Sequence, residues 1–67
     1  MTTGTVKWFD KSKKYGFIAP DDGSKDVFVH LTAIENAGLT ELTEGQTVSF
    51  DIVNNRGKDA ADNIKLL

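Results

Sequence analysis

Lys13-Lys-Tyr-Gly-Phe-Ile-Ala-Pro-Asp-Asp-Gly-Ser-Lys-Asp-Val-Phe-Val-His30 decides the reading of this 67-residue chain. Two short β-prone runs, Tyr15–Ala19 and Val27–His30, flank a loop with Pro20 and Asp22-Gly23. A Gly-containing loop between two such runs signals a hairpin. Side chains alternate across a strand. Ile18 therefore faces opposite to Tyr15 and Phe17, and Val27 and Val29 face opposite to Phe28 and His30. With the aliphatic residues in the core, one hairpin turns Tyr15, Phe17, Phe28 and His30 outward together. Lys13 and Lys14 enter beside them. A flat aromatic surface edged with cations suits unpaired bases and a phosphate backbone.

Working outward, Thr5–Asp10 reads as the first strand, and Met1–Gly4 is expected to fray. Strict alternation puts Trp8 with Val6 on one face and Lys7 with Phe9 on the other. Adjacent aromatics can share a face only at a bulge, and the pattern leaves open which of Trp8 and Phe9 points outward. Lys11–Lys14 is a basic turn. Pro20 has no amide donor and marks the end of the second strand or an edge position. In Leu31–Gly45, Thr32-Ala-Ile-Glu35 has the form of a capping box, and Gly38 can stop the short helical turn it begins. Glu44-Gly45 leads into Gln46–Asn54, where Val48, Phe50 and Ile52 share a face. The polar loop Asn54–Lys58 suits positive φ. Ala60–Leu66 is the fifth strand, with Ile64 and Leu66 on one face. Five short strands with frequent turn signals and almost no helix predict an all-β fold, a small closed or nearly closed barrel. Closure also removes exposed strand edges. The expected core is Val6, Ile18, Val27, Val29, Ile34, Val48, Phe50, Ile52 and Ile64.

Length and composition bound the function. A chain of 67 residues is one small domain, 1–67, and leaves little room for a deep catalytic cleft beside a full core. There is no cysteine, hence no disulfide framework and no thiolate metal site. No apolar run has the form of a signal peptide or a membrane span, so a cytoplasmic protein is expected. The net charge of −2 opposes bulk attraction to nucleic acid, but the charge is unevenly placed. Residues 1–18 carry four lysines against one aspartate, whereas residues 19–67 carry four cations against nine acids. The cations gather around the aromatic hairpin, as a polar partner meeting one face would require. Lysines guarding a solvated strand edge are the plainer alternative.

Lys13–Ile18 and Val27–His30 resemble the two ribonucleoprotein motifs of the bacterial cold-shock proteins. Gly4–Phe9 (Gly-Thr-Val-Lys-Trp-Phe), Glu44–Phe50 and Ala60–Ile64 are similar to other stretches of that family, in matching order over essentially the whole chain. The resemblance implies a five-stranded antiparallel β-barrel of the OB type that binds single-stranded RNA and DNA and acts as an RNA chaperone. Carried over residue by residue, it implies a binding face of Lys7, Trp8, Phe9, Asp10, Tyr15, Phe17, Phe28 and His30. Lys13, with Arg56 or Lys58, would meet phosphates. No cofactor, metal or membrane is implied, and a monomer is expected. Three positions depart from the family pattern. Lys14 stands where the motif usually has glycine, and Leu31 and Leu39 stand where aromatic rings are usual.

The residues themselves weigh the alternatives. Leaving three aromatic rings in water would forgo roughly 4–9 kcal/mol of burial. That approaches the whole stability of a small domain, roughly 5–15 kcal/mol. His30 is the sole histidine and has no second histidine or cysteine to complete a metal site. Ser12, Ser24 and Ser49 sit in no motif that would build a triad on His30, so no enzyme is expected. Asp21, Asp22, Asp59 and Asp62 read as solvated turn acids. A peptide-binding barrel and a carboxylate-metal nuclease remain the two rival classes. Salt-insensitive binding would mark the first, and magnesium-dependent loss of substrate the second.

Overall fold

The computed structural model describes residues 2–55 and 57–67, with Asn55 described by its backbone alone. Arg56, one of the expected phosphate contacts, lies outside the described residues. Five strands and one short helix follow in the order β1 (Thr2–Asp10), β2 (Tyr15–Pro20), β3 (Val27–His30), α1 (Leu31–Asn36), β4 (Thr47–Asn55) and β5 (Lys58–Leu66). The strands close into a barrel in the order β1-β2-β3-β5-β4. All seams are antiparallel except the short one between β3 and β5, where Phe28 meets Ala60 in parallel. The expected five-stranded OB-type barrel is thus the observed one.

The core follows the alternation in β1, β2 and β3. Val6 opposes Ile18, Ile18 opposes Val27, and all three are buried with Val29. Val48, Phe50, Ile34 and Ile64 complete the expected set. Ile52 is the correction. Phe50 is wholly buried, but Ile52, two residues on, is 42% exposed. It keeps the face opposite the buried Ala61, yet the outer end of the β4–β5 hairpin has run past its cover. Two other residues fill the core instead. Leu42, in the loop before β4, and Ala61 are both buried. Asn63 adopts φ 50 where the β4–β5 register shifts between Ser49 and Asp51. That bulge breaks the period-two count, so Ala61 and Ile64 both reach the interior.

Thr2–Gly4 do not fray, and Met1, which shared that expectation, lies outside the described residues. Thr2, Thr3 and Gly4 pair with Phe50, Ser49 and Val48. Gly4 is buried, and a Cβ there would come within 2.8 Å of the Ala19 carbonyl and 2.9 Å of Ile18 Cγ2. Only glycine lets β1 sit so close to β2. The expected capping box is also replaced. Helix α1 starts at Leu31, and His30 caps it by accepting the Thr32 N–H on Nδ1 at 3.1 Å. Gly38, at φ 81, ends it as expected. Its N–H donates to Glu35 O, and the Leu39 N–H donates to Ile34 O, the paired bonds of a Schellman motif. Ile34 anchors the helix in the core while α1 packs against β5 and β3.

Candidate nucleic-acid interface

The order of β1, β2 and β3 in the barrel puts three strands side by side. Their outward positions fall in cross-strand register: Trp8 opposite Phe17, Phe17 opposite Phe28, and Tyr15 opposite His30. Such directly opposed side chains lie about 4.5–5.5 Å apart at Cβ, close enough for rings to touch. The five rings make one continuous row. Centroids are 5.4 Å apart for Trp8 and Tyr15, 5.5 Å for Trp8 and Phe17, and 5.5 Å for Tyr15 and Phe28. Phe17 lies 5.9 Å from Phe28, and Phe28 lies 6.2 Å from His30. Most pairs are edge-on or tilted, the arrangement the ring quadrupoles favour. Trp8, Tyr15, Phe17 and Phe28 are half-buried and His30 is exposed. Each ring thus covers its neighbours while keeping part of its surface open.

A bulge settles the orientation of Trp8. The β1–β2 register shifts between Val6 and Trp8, leaving Lys7 as the extra residue. Val6 stays inward against Ile18, and Trp8 turns outward against Phe17. Phe9 then takes the inner face opposite Gly16 and packs against the core. Phe9, which the resemblance puts on the binding face and whose facing the alternation left open, is half-buried on the side opposite the ring row. The residue beneath it explains the geometry. A Cβ on Gly16 would sit 2.3 Å from the Trp8 carbonyl and 2.7 Å from Phe9 Cα, so β1 can cross here only over glycine.

The charged residues frame the row. Lys7 Nζ pairs with Asp26 Oδ2 at 2.9 Å on the surface. Such an exposed pair contributes little to stability, about 0–1 kcal/mol. Asp10 pairs across the ladder with Tyr15, at the margin of the ring face. Its Oδ1 accepts the N–H groups of Ser12 and Lys13, at 2.9 and 3.2 Å, which holds the basic turn in place. Lys13 is exposed on that turn. Lys14 adopts φ 67, a left-handed conformation that glycine reaches without strain. Its amide donates to Asp10 O and its carbonyl accepts from Leu31 N, tying the turn to the start of the helix. Lys58 reaches the face from the far side and shares a cavity with Phe17 and Phe28. In the β2–β3 loop, hydrogen bonds from Ser24, first from its side chain and then from its backbone, hold the Asp22 carboxyl below the usual carboxylate value.

His30 has a second task that the sequence did not reveal. By accepting the Thr32 N–H, its Nδ1 fixes the ring at the head of the helix, also 2.9 Å from Thr32 Oγ1. Leu39 is half-buried and packs against the core, whereas Leu31 is half-buried next to His30. No group of three or more potential metal-ligating His, Cys, Asp or Glu side chains occurs among the described residues. No helix among them is long and apolar enough to cross a membrane. Residues outside the expected face now border it, Lys25, Asp26 and Asp59 among them. Asp59 lines the cavity beside Phe17 and Phe28. Only the closure of β5 onto β3 brings it there, and no local sequence signal carries that.

Known proteins share this arrangement of sequence. The chain is 58% identical over 67 residues to a probable cold shock protein of Sinorhizobium fredii, covering 97% of each chain. It is 55% identical, again over 97% of each, to the cold shock protein CspA of Rhizobium meliloti. It is 56% identical over 64 residues to the cold shock-like protein CspE of Escherichia coli, covering 94% of this chain and 93% of that one. The family profile described as the 'Cold-shock' DNA-binding domain matches residues 2–67. With its row of rings on a closed five-stranded barrel, the chain belongs to the cold-shock domain family, whose role is to bind nucleic acid.

Proposed function

We propose that this protein is a non-catalytic binder of single-stranded RNA and DNA. It stacks unpaired bases on Trp8, Tyr15, Phe17, Phe28 and His30, and acts as an RNA chaperone. The observation that carries the reading is the unbroken row of five rings, four of them half-buried against each other and His30 exposed at the end. Base–aromatic stacking contributes roughly 1–3 kcal/mol per base and tolerates any sequence, because every base has a π-face. Duplex bases are already stacked on each other and cannot use the row. A strand held on the rings cannot pair with another, which is the physical basis of the chaperone role.

Lys7, Lys13 and Lys58, with Arg56, serve the phosphates, and Asp10 sets the turn that carries Lys13. Phe9 supports the row from the core side. The domain spans residues 1–67, works as a monomer in the cytoplasm, and needs neither metal nor cofactor. Trp8 is the sole tryptophan, so its emission reports on the face directly. Oligothymidine and pyrimidine-rich RNA should quench it, and duplex of equal length should change it little. Equal quenching by duplex, or none by either strand, overturns the reading. A flat response to salt would favour a peptide-binding barrel instead.

A further inference from the structure

Asp59 reads in sequence as a solvated hairpin acid, but the fold gives it a place. It lines a cavity of about 590 Å³ at the margin of the ring face. Phe17 and Phe28 form the apolar wall of that cavity. Lys25 and Asp26 approach from the residues before β3, and Lys58 and Asp59 from the β4–β5 hairpin. A surface meant only to attract a polyanion gains nothing from two carboxylates at this point.

We infer that the cavity is a base subsite in which Asp59 selects bases carrying an exocyclic amino group, guanine above all. The inference rests on the single-strand-binding reading above and adds base preference to it. An ionised carboxylate only accepts hydrogen bonds. Guanine offers N1–H and N2–H side by side, matching the two oxygens of a carboxylate as a guanidinium does. Cytosine offers its N4 amino group, a known partner of Asp and Glu. Thymine and uracil offer one N3–H flanked by two carbonyl oxygens, which a carboxylate repels. The two acids of the cavity are not equivalent. Asp26 already accepts from the Lys7 ammonium at 2.9 Å. Asp59 Oδ1 accepts from the neutral Asn54 Nδ2 at 3.2 Å, which orients the carboxylate without cancelling its charge. Lys25 and Lys58 on the same cavity supply positive charge for the phosphates on either side of the selected base.

The test titrates Trp8 fluorescence with seven-residue oligothymidines in which a single guanine is walked through every position. In the unaltered protein, guanine at one position should tighten binding about fivefold over thymine, the lower end of what a bidentate base contact supplies. Asp59→Asn keeps the size of the side chain and can still accept from Asn54. It should erase that preference while leaving affinity for plain oligothymidine within about twofold. Asp26→Asn should leave the preference in place. Normal binding of oligothymidine with no guanine preference, or a preference that survives Asp59→Asn, overturns this inference alone. Failure of every oligonucleotide to quench Trp8 overturns the single-strand reading, and this inference with it.

Discussion

Apolar side chains are left open to water at several places on this barrel, and two of them differ instructively. On β1, β2 and β3 the open residues are rings in contact, each half-covered by the next. On the outer end of the β4–β5 hairpin they are Ile52 and Val53, 42% and 43% exposed, on opposite faces of one strand. Acids border that hairpin: Asp51 pairs with Asp62, and Asp59 with Asn54. The first surface is aromatic and edged with lysines. The second is aliphatic, in acidic surroundings. Exposed apolar area alone therefore does not define a binding face. The proposed binding face differs in having rings in cross-strand register with lysines at its margin.

The largest effect should come from the backbone that supports the row. Gly16→Ala pushes a methyl into the Trp8 carbonyl and the Phe9 backbone, neither of which can yield cheaply. Overpacking usually costs about 1–3 kcal/mol, and this contact with backbone should reach the upper end or beyond. A drop in urea midpoint with unchanged slope would show it. An unchanged midpoint would mean β1 moves freely and the row is not fixed by Gly16.

Removing rings should separate binding from folding. Phe17→Ala and Phe28→Ala should each weaken oligothymidine binding by roughly 1–3 kcal/mol, with the barrel intact by circular dichroism. Ile52→Ala on the other surface, and likewise Ile52→Val, should leave binding unchanged, and stability within about 0.5 kcal/mol. If the hairpin variants weaken binding as much as the ring variants, the contrast between the two surfaces collapses.

Smaller effects sharpen the contrast. Lys14 holds φ 67, a conformation costing an ordinary residue roughly 1–2 kcal/mol. Glycine there relieves that strain but loses more chain entropy on folding, by roughly 0.5–1 kcal/mol. Lys14→Gly should therefore raise stability by about 0.5–1 kcal/mol, read as a higher thermal midpoint. A fall in stability would mean that the lysine side chain contributes contacts of its own. Leu31→Phe extends the ring row next to His30 and should tighten binding by up to about 1 kcal/mol. The gain should appear only with oligonucleotides long enough to reach that end. Leu39→Phe should add less, because Leu39 already packs against the core. Salt dependence should be gentle. With about three phosphate contacts, log K against log salt should fall with a slope of about −2. A slope near zero would shift the reading from nucleic acid to peptide.

Much of this molecule was legible in its sequence because period-two alternation is a local rule. Wherever a strand is regular and covered, as in β2 and β3, each inward and outward residue could be read by counting. Ile18, Val27 and Val29 went in, and Tyr15, Phe17, Phe28 and His30 went out, as the count required. The count fails where a bulge inserts a residue, because one residue of slip reverses every later facing. Trp8 and Phe9 exchange sides at the first bulge, and Ala61 joins the core beside the second. Neither bulge announces itself locally: Lys7 is an ordinary strand residue, and Asn63 only tolerates positive φ. The count also says nothing about where a strand outruns its cover, which is why Ile52 stays in water while Leu42 is drawn in from a loop. Sequence by itself determined the strands, the barrel and the outward aromatic set, since these follow from alternation and turn chemistry. Tertiary structure alone decided which way Trp8 points, that His30 caps the helix, and that Asp59 arrives beside Phe17 and Phe28. The first and the last depend on how strands register when the barrel closes, which is a property of the whole chain, while the cap is a contact two residues along that forms where β3 runs directly into α1.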